Sequence, residues 1–143
     1  MPQYIKNWFS NFELMDTPIY DEYGIKYWTV ENYYQALKFI TKEFRIIVSE
    51  ASPGQAKRIA KTETWTNDNF DRLEVMEIAL RHKFAEGTSW YKKLMSTGDE
   101  EIIEWNNWGD KFWGVLDETW EGENHLGNLL MKIREEFQDD DNT

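Results

Sequence analysis

Three polar side chains at helical spacing are the first candidates for chemistry in this chain. Glu31, Gln35 and Lys38 are separated by four and then three residues, with Tyr34 beside them. On a helix with about 100° per residue, Gln35 and Lys38 lie within about 40° of Glu31. A carboxylate, an amide and an amine on one face can move protons or form a covalent intermediate. Taken alone, the fragment is more typical of a solvated helix face with ordinary surface charges.

A second candidate is the aromatic loop formed by residues 104–114. It contains three tryptophans, two glycines and Asp110. Such a composition is unusual for a plain linker, and loops often carry functional groups on a rigid scaffold. Two interpretations stay open: a binding loop, or a capping loop whose tryptophans fill gaps in the core.

Two helix starts offer weaker candidates. Ser52 and Pro53 are typical of an N-cap and a first helical residue, and the basic residues Lys57, Arg58 and Lys61 follow. A helix N-terminus with a nearby arginine can bind phosphate, although an ordinary basic surface helix explains the fragment equally well. In residues 122–127, the simplest interpretation makes Asn124 the N-cap of the last helix.

The elements that would position these groups are mainly helical. A β-hairpin is predicted at residues 19–28, with Gly24 in its turn. Helices are predicted from Thr29 to about Ile40, from Ser52, over residues 67–86, around 89–97, over 99–105, and from Asn124 onward. The apolar stripe of the first helix would be Val30, Tyr33, Leu37 and Ile40. We therefore expect a mainly α, single-domain orthogonal helical bundle at residues 1–138, followed by an acidic tail at 139–143.

Composition excludes several classes of function. The 143 residues include 8 Trp, 7 Tyr and 8 Phe, no Cys and only two His, with a formal net charge of −11. Disulfides and thiolate metal sites are excluded, and we expect neither a metal nor a cofactor. The negative charge disfavours generic nucleic-acid binding. Without a leader-like segment or an apolar run of about 20 residues, a cytoplasmic protein without membrane contact is expected.

Taken together and in order, these fragments resemble the YbiA-like (NADAR) family. The matching blocks are residues 8–12 (WFSNF), 28–39 (WTVENYYQALKF), 52–58 (SPGQAKR), Asp110 with Trp113 and Gly114, and 122–134, with weaker matches between them. Asn32 stands where the family usually has histidine, and Tyr34 where it usually has phenylalanine. The stretch 105–108 also departs from the family pattern.

The resemblance implies an N-glycosidase that cleaves the bond between ribose and an exocyclic amine of a nucleobase-like group. Its substrate would be ADP-ribosylated guanine, as a nucleoside or in DNA, or a ribosylamino-pyrimidine phosphate of riboflavin biosynthesis. Catalytic roles fall to Lys38, Glu31 and Asp110. Substrate binding falls to Asn11, Tyr34, Gln35, Arg58, Trp113 and Asn124. The oligomeric state stays open.

Two mechanisms are compatible with these residues. In the first, Lys38 forms a Schiff base with the ring-opened sugar, while Glu31 shuttles protons. In the second, Glu31 and Asp110 act as a carboxylate pair in direct hydrolysis, and Lys38 contributes only its charge. A non-catalytic sensor of ADP-ribose or a nucleotide is a third possibility, which the acid–amine set disfavours.

Overall fold

The computed structural model describes residues 2–4 and 10–141, which form two compact units. The central unit spans Asn11–Trp90, and the terminal unit comprises the described residues before Asn11 and after Trp90. Trp8 and Phe9 of the first family-like block lie outside the described residues. Among those that are described, no helix is long and apolar enough to cross a membrane.

Six helices and six two-residue strands make up the described chain. In order, they are β1 (Gln3–Tyr4), β2 (Ile19–Tyr20), β3 (Lys26–Tyr27), α1 (Val30–Ala36), α2 (Lys42–Glu50), α3 (Pro53–Thr62), α4 (Arg72–Lys83), α5 (Ser89–Ser96), β4 (Ile102–Ile103), β5 (Trp105–Asn106), β6 (Val115–Leu116) and α6 (His125–Asp141). The predicted mainly helical fold is confirmed. So is the hairpin, because β2 and β3 pair antiparallel and Gly24 has a φ of 77° in the turn.

Helix α1 lies at the centre of the central unit. Thr29 caps it by accepting a hydrogen bond from the Asn32 amide at 3.0 Å. The Asn32 side chain donates to the carbonyls of Val48 and Ala51, at 2.9 and 2.8 Å, and so fixes the end of α2 against α1. Helices α2, α3 and α4 all pack against α1. Every residue of α1 is buried as a result.

The burial of α1 corrects two sequence-based expectations. The face with Glu31 and Gln35 is not solvated, because neighbouring helices cover the helix on all sides. The helix also ends at Ala36 rather than near Ile40, which is half exposed. Lys38 therefore lies just beyond the helix, although its amide still bonds to the Gln35 carbonyl at 3.3 Å.

Other boundaries differ for identifiable reasons. Helix α4 begins after Asp71, whose carboxylate accepts from the amides of Leu73 and Glu74, so the predicted start at Asn67 was wrong. Residues 102–103 form a strand instead of the predicted helix, paired in parallel with β1. Helix α2 was not predicted. Helix α6 begins one residue after Asn124 and runs on through the acidic residues to Asp141.

The terminal unit is built around α6 and the short strands. Leu126, Leu130 and Ile133 of α6 are buried, and Phe137 on the same helix is half-buried. Arg134, also buried, donates to the Thr97 hydroxyl at 2.9 Å and to the Glu100 carbonyl at 2.7 Å. Strands β5 and β6 pair in parallel, and residues 107–114 of the aromatic loop connect them. The loop is thus held at both of its ends.

Candidate active site

Lys38 sits in an aromatic surround within the central unit. Its side chain is only 7% exposed. The Nζ atom lies 4.1 Å from the ring centroid of Trp65, 4.8 Å from that of Tyr34 and 5.8 Å from that of Phe70. The three rings also support one another, since Phe70 makes edge contacts with Tyr34 and Trp65. Such rings attract a cation weakly but replace its water shell.

Burial lowers the pKa of the Lys38 amine to about 8, because the charged form loses hydration. The Glu31 carboxylate acts in the opposite direction and the positive charge of Lys57 in the same one. At pH 7 roughly one tenth of this amine is neutral, against about one in three thousand for an ordinary lysine. The site therefore holds an amine that can act as a nucleophile near neutral pH.

Three hydrogen-bond acceptors line the same region of the central unit. The Glu31 carboxylate accepts from Gln35 Nε2 at 3.1 Å, and the Glu31 amide donates to the Asn11 carbonyl at 3.1 Å. Asn11 Oδ1 and Gln35 Oε1 are buried, and no described residue donates a hydrogen bond to either. Buried acceptors of this kind are costly unless a ligand or water donates to them. Asn11, Gln35 and Glu31 thus form an acceptor-rich surface, and Glu31 is the member whose charge acts on the Lys38 amine.

The start of α3 is a poorer anion site than the sequence suggested. Ser52 and Gln55 form a reciprocal capping box, and Pro53 has no amide hydrogen. Of the first three helical amides, only that of Gly54 is left for an anion. Binding of a phosphate here would depend on the side chains of Lys57 and Arg58, both exposed, and the charge of Lys57 is the one that acts on Lys38.

Asp110 organises the aromatic loop of the terminal unit. Its Oδ1 accepts from the amides of Phe112 and Trp113, at 3.1 and 2.8 Å. Asn106 closes the loop by bonding to the amide and the carbonyl of Asp110. Asp110 Oδ2 accepts no hydrogen bond from a described residue. The carboxylate therefore positions Trp113 with one oxygen and has the other available to a ligand.

The aromatic residues of this loop differ in exposure. Trp108 is exposed and does not fill a gap in the core. Trp113 is half-buried, with its ring 4.8 Å from that of Phe112 in an edge contact. Trp105 stacks on Trp120 at 5.9 Å. Trp108 therefore does not fit the interpretation of residues 104–114 as a capping loop whose tryptophans fill gaps in the core.

Asn124 holds the strands of the terminal unit together. Its Oδ1 accepts from the Glu104 amide and its Nδ2 donates to the Ile102 carbonyl, both at 2.9 Å. It precedes α6, yet its side chain bonds to these strand groups and its φ is 52°. Both polar atoms of the side chain form hydrogen bonds with the backbone, so the residue has little capacity to bind a substrate directly.

Close backbone approaches explain the glycines around Asn124. A Cβ on Gly114 would lie 2.1 Å from the Glu104 carbonyl oxygen, and one on Gly127 would lie 2.1 Å from that of Ile102. Neither carbonyl can move without breaking the hydrogen bonds of β4 and β6. These glycines and Asn124 form a structural motif.

Replacing Asn124 by alanine is expected to lower the free energy of unfolding by about 2–4 kcal/mol, because two backbone groups lose their partners. Urea denaturation of the variant and the wild type measures this change. Asn107→Ala, at an exposed position in the aromatic loop, is the control and should stay within about 0.5 kcal/mol. Equal stability of the two variants would contradict the structural role of Asn124.

The structure places the predicted site residues in two groups. Glu31, Tyr34, Gln35, Lys38 and Asn11 come together in the central unit, and Arg58 lies exposed on α3 of that unit. Asp110, Trp113 and Asn124 belong to the terminal unit. Sequence reasoning missed Trp65 and Phe70 as site residues. The sequence feature that could have indicated them is their position at the two ends of the polar stretch 66–69. In the described part of the chain, no cluster of three His, Asp or Glu residues is placed to hold a metal.

The fold and the buried acid–amine–amide set define a YbiA-like domain, the class that the sequence resembles. The chain belongs to the NADAR domain family, whose model matches residues 2–138. The solved structure of the Escherichia coli protein YbiA covers 99% of this chain and 89% of its own, with a TM-score of 0.78 and 28% identity. The predicted family is confirmed.

Named relatives agree with this assignment. N-glycosidase Npun_R5314 of Nostoc punctiforme is 34% identical over 137 residues, covering 91% of this chain and 85% of the relative. Riboflavin biosynthesis protein VVA0006 of Vibrio vulnificus is 37% identical over 114 residues, covering 76% of this chain and 30% of the relative. This chain thus spans under a third of the Vibrio protein. The predicted class, a hydrolase of N-glycosyl bonds, is the one that the name of the Nostoc relative gives.

Proposed function

We propose that this chain is an N-glycosidase that separates ribose from an exocyclic amine of a nucleobase-like group, with ADP-ribosylated guanine as its main substrate. The observation that carries the proposal is the Lys38 amine, buried between three aromatic rings beside Glu31, with a pKa of about 8. A sensor would gain little from a buried, partly neutral amine, because burying it costs stability. A nucleophile requires that state.

The acceptor-rich surface supports a sugar as the group that is bound next to the amine. Asn11 Oδ1, Gln35 Oε1 and the Glu31 carboxylate are all acceptors. Ribose hydroxyls are donors that would satisfy the two amide oxygens, Asn11 Oδ1 and Gln35 Oε1. A phosphate, which has mainly acceptor oxygens, would not be suited to this position.

The proposed reaction conserves atoms and protons. The exocyclic N-glycoside opens its ring to give an imine between the sugar C1 and the base nitrogen. Neutral Lys38 Nζ adds to C1, and Glu31 carries both Nζ protons in turn to the base nitrogen, one on addition and one as the base amine leaves. The C1–N bond to the base then breaks, releasing the base amine and leaving a Schiff base on Lys38. Water adds to C1, the lysine leaves, and the free aldehyde closes to ribose.

Two leaving groups fit this chemistry, because each offers an exocyclic amine on a related ring. ADP-ribosylated guanine is the first. The alternative, a ribosylamino-pyrimidine phosphate, is supported by the name of the Vibrio relative. The Lys57 and Arg58 side chains would meet a monophosphate or a diphosphate equally well.

A paired turnover assay tests the proposal. Purified chain is given ADP-ribosylated guanosine, ADP-ribosylated DNA or the ribosylamino-pyrimidine phosphate, with and without borohydride. Release of ADP-ribose, together with a borohydride-fixed adduct on Lys38, supports the proposal. Turnover of the pyrimidine alone would assign the alternative substrate. Tight binding of ADP-ribose without any turnover would replace the enzyme by a sensor.

A further inference from the structure

Four consecutive carbonyl groups after α1 are held by hydrogen bonds. The Leu37 carbonyl accepts from Asn67 Nδ2 at 2.8 Å, and the Lys38 carbonyl accepts from the amides of Thr66 and Asn67, at 3.1 and 3.0 Å. The Phe39 carbonyl accepts from Arg45 Nε at 2.7 Å. Tyr23 donates its hydroxyl to the Ile40 carbonyl at 2.6 Å. The backbone that carries the candidate nucleophile is therefore fixed from two sides.

On one side, this backbone is held by a charge network centred on the buried Arg45. Arg45 is only 1% exposed and forms ion pairs with Asp21 and Glu22 of the hairpin turn. Tyr27 donates its hydroxyl to Asp21 at 2.7 Å, and the Tyr23 ring lies 4.9 Å from the Arg45 guanidinium. The side chains of Arg45 and Asp21 are both buried, whereas that of Glu22 is exposed. The Arg45–Asp21 pair therefore holds one geometry, because breaking it would leave buried charges uncompensated.

The other side is the loop of residues 65–70, which carries two of the rings around Lys38. Asn67 is its hub: the amide bonds to Lys38, Nδ2 to Leu37, Oδ1 accepts from Asn69 and the carbonyl accepts from Phe70. Trp65 is fixed separately by a bond from its indole nitrogen to the Ala60 carbonyl at 2.7 Å. Asn67 thus connects the loop of residues 65–70 to the backbone of the nucleophile.

We propose that Asn67 is a positioning residue, which keeps the Phe70 ring and the Lys38 amine in one fixed arrangement. The inference extends the proposed function to a residue that touches no reacting atom. Without its side chain, the loop loses the bond to Leu37 and the bond from the Asn69 amide, and keeps only the backbone bonds of Asn67. The Phe70 ring would then move away from the amine, and water would enter.

The charged groups near Lys38 determine how a change in the pKa of its amine is interpreted. Glu31 on α1 and Lys57 on α3 are the charged groups that act on Lys38, and the phenol of Tyr34 faces it as well. None of them is altered by a change at Asn67. A shift in the titration of Lys38 would therefore report the altered burial of the amine.

The test is a pH titration of the Lys38 side chain by NMR, in protein labelled with ¹³C-lysine and assigned by the signal missing in Lys38→Met. Wild type should titrate near pH 8. Asn67→Ala should raise the midpoint by about one unit or more, as the amine regains water. Asn69→Ala, two residues away in the same loop, is the matched control and should titrate like the wild type. The kcat/KM profile of an active enzyme should move in parallel.

Every outcome of the titration is decisive. An unchanged midpoint in folded Asn67→Ala, or an equal shift in Asn69→Ala, would overturn the proposal. If the alanine variant does not fold, Asn67→Ser decides, because its hydroxyl can still accept from the Asn69 amide while the bond to Leu37 is lost. The titration needs no substrate, so it distinguishes failure of this inference from failure of the proposed function.

Discussion

Replacing Lys38 by methionine should abolish turnover and, at neutral pH, make the folded chain more stable. Methionine has a similar length and fits between aromatic rings, but it cannot form a Schiff base. We expect kcat/KM to fall by at least about 10³-fold, as for other enzymes that lose a nucleophile. The borohydride-fixed adduct should vanish together with the activity.

The gain in stability follows from the lowered pKa of the amine. At pH 7 the folded chain must keep a mostly charged amine in a buried place, whereas the unfolded chain hydrates it. A pKa of about 8 in the fold against 10.5 in the unfolded chain corresponds to about 3 kcal/mol. The contact between the cation and the half-exposed Trp65 ring returns about 0.5–1 kcal/mol of this in the wild type. Burial is the larger effect, so Lys38→Met should gain about 2 kcal/mol.

The sign of the pH dependence makes this prediction sharp. Between pH 8 and 10.5 the unfolded chain binds more protons than the folded one at this residue, so the wild type gains stability as pH rises. The methionine variant lacks that gain, and its advantage should disappear by about pH 10.5. Urea denaturation at pH 7 and pH 10 measures both effects, with the exposed Lys42→Met as control. A variant that is less stable than the wild type at pH 7 would contradict the burial of a charged amine.

The sequence was sufficient for the hairpin turn and for the start of α3. Gly24 in its turn and the Ser52 and Pro53 start of α3 are set by nearby residues, so local rules predict them. The burial of α1 was beyond such rules. A hydrophobic period assumes one buried stripe and one solvated face, but α1 is covered by three helices, and its polar face lies inside.

The candidate site was partly accessible from sequence for a related reason. Glu31 and Lys38 were selected by residue type and spacing, and the structure brings them together although Lys38 lies beyond the end of the helix. Asn67 could not be selected, because it acts on residues about 30 positions earlier and no local pattern marks it. Asn124 was selected through a family motif, but its hydrogen bonds show that a motif residue can serve the fold.

The Glu31→Gln variant should separate the two mechanisms. Glutamine keeps the size of the side chain and can still accept from Gln35 Nε2, but it cannot carry a proton. We expect kcat to fall by about 10²–10⁴-fold, the usual contribution of a general acid or base. Steady-state kinetics with ADP-ribosylated guanosine measures the loss. Glu43→Gln, which removes an exposed carboxylate on α2, is the control and should leave kcat unchanged.

The pH profile of the residual Glu31→Gln activity distinguishes the Schiff-base mechanism from direct hydrolysis. The Glu31 carboxylate raises the pKa of Lys38, so its removal should lower the pKa of the amine further. If neutral Lys38 is the nucleophile, the acidic limb of the Glu31→Gln profile must move to lower pH while the plateau falls. If Glu31 acts with a second carboxylate in direct hydrolysis, the limb belongs to Glu31 itself and should be lost with it. A limb that moves therefore assigns the nucleophile to Lys38, and a limb that is lost assigns the chemistry to the carboxylates.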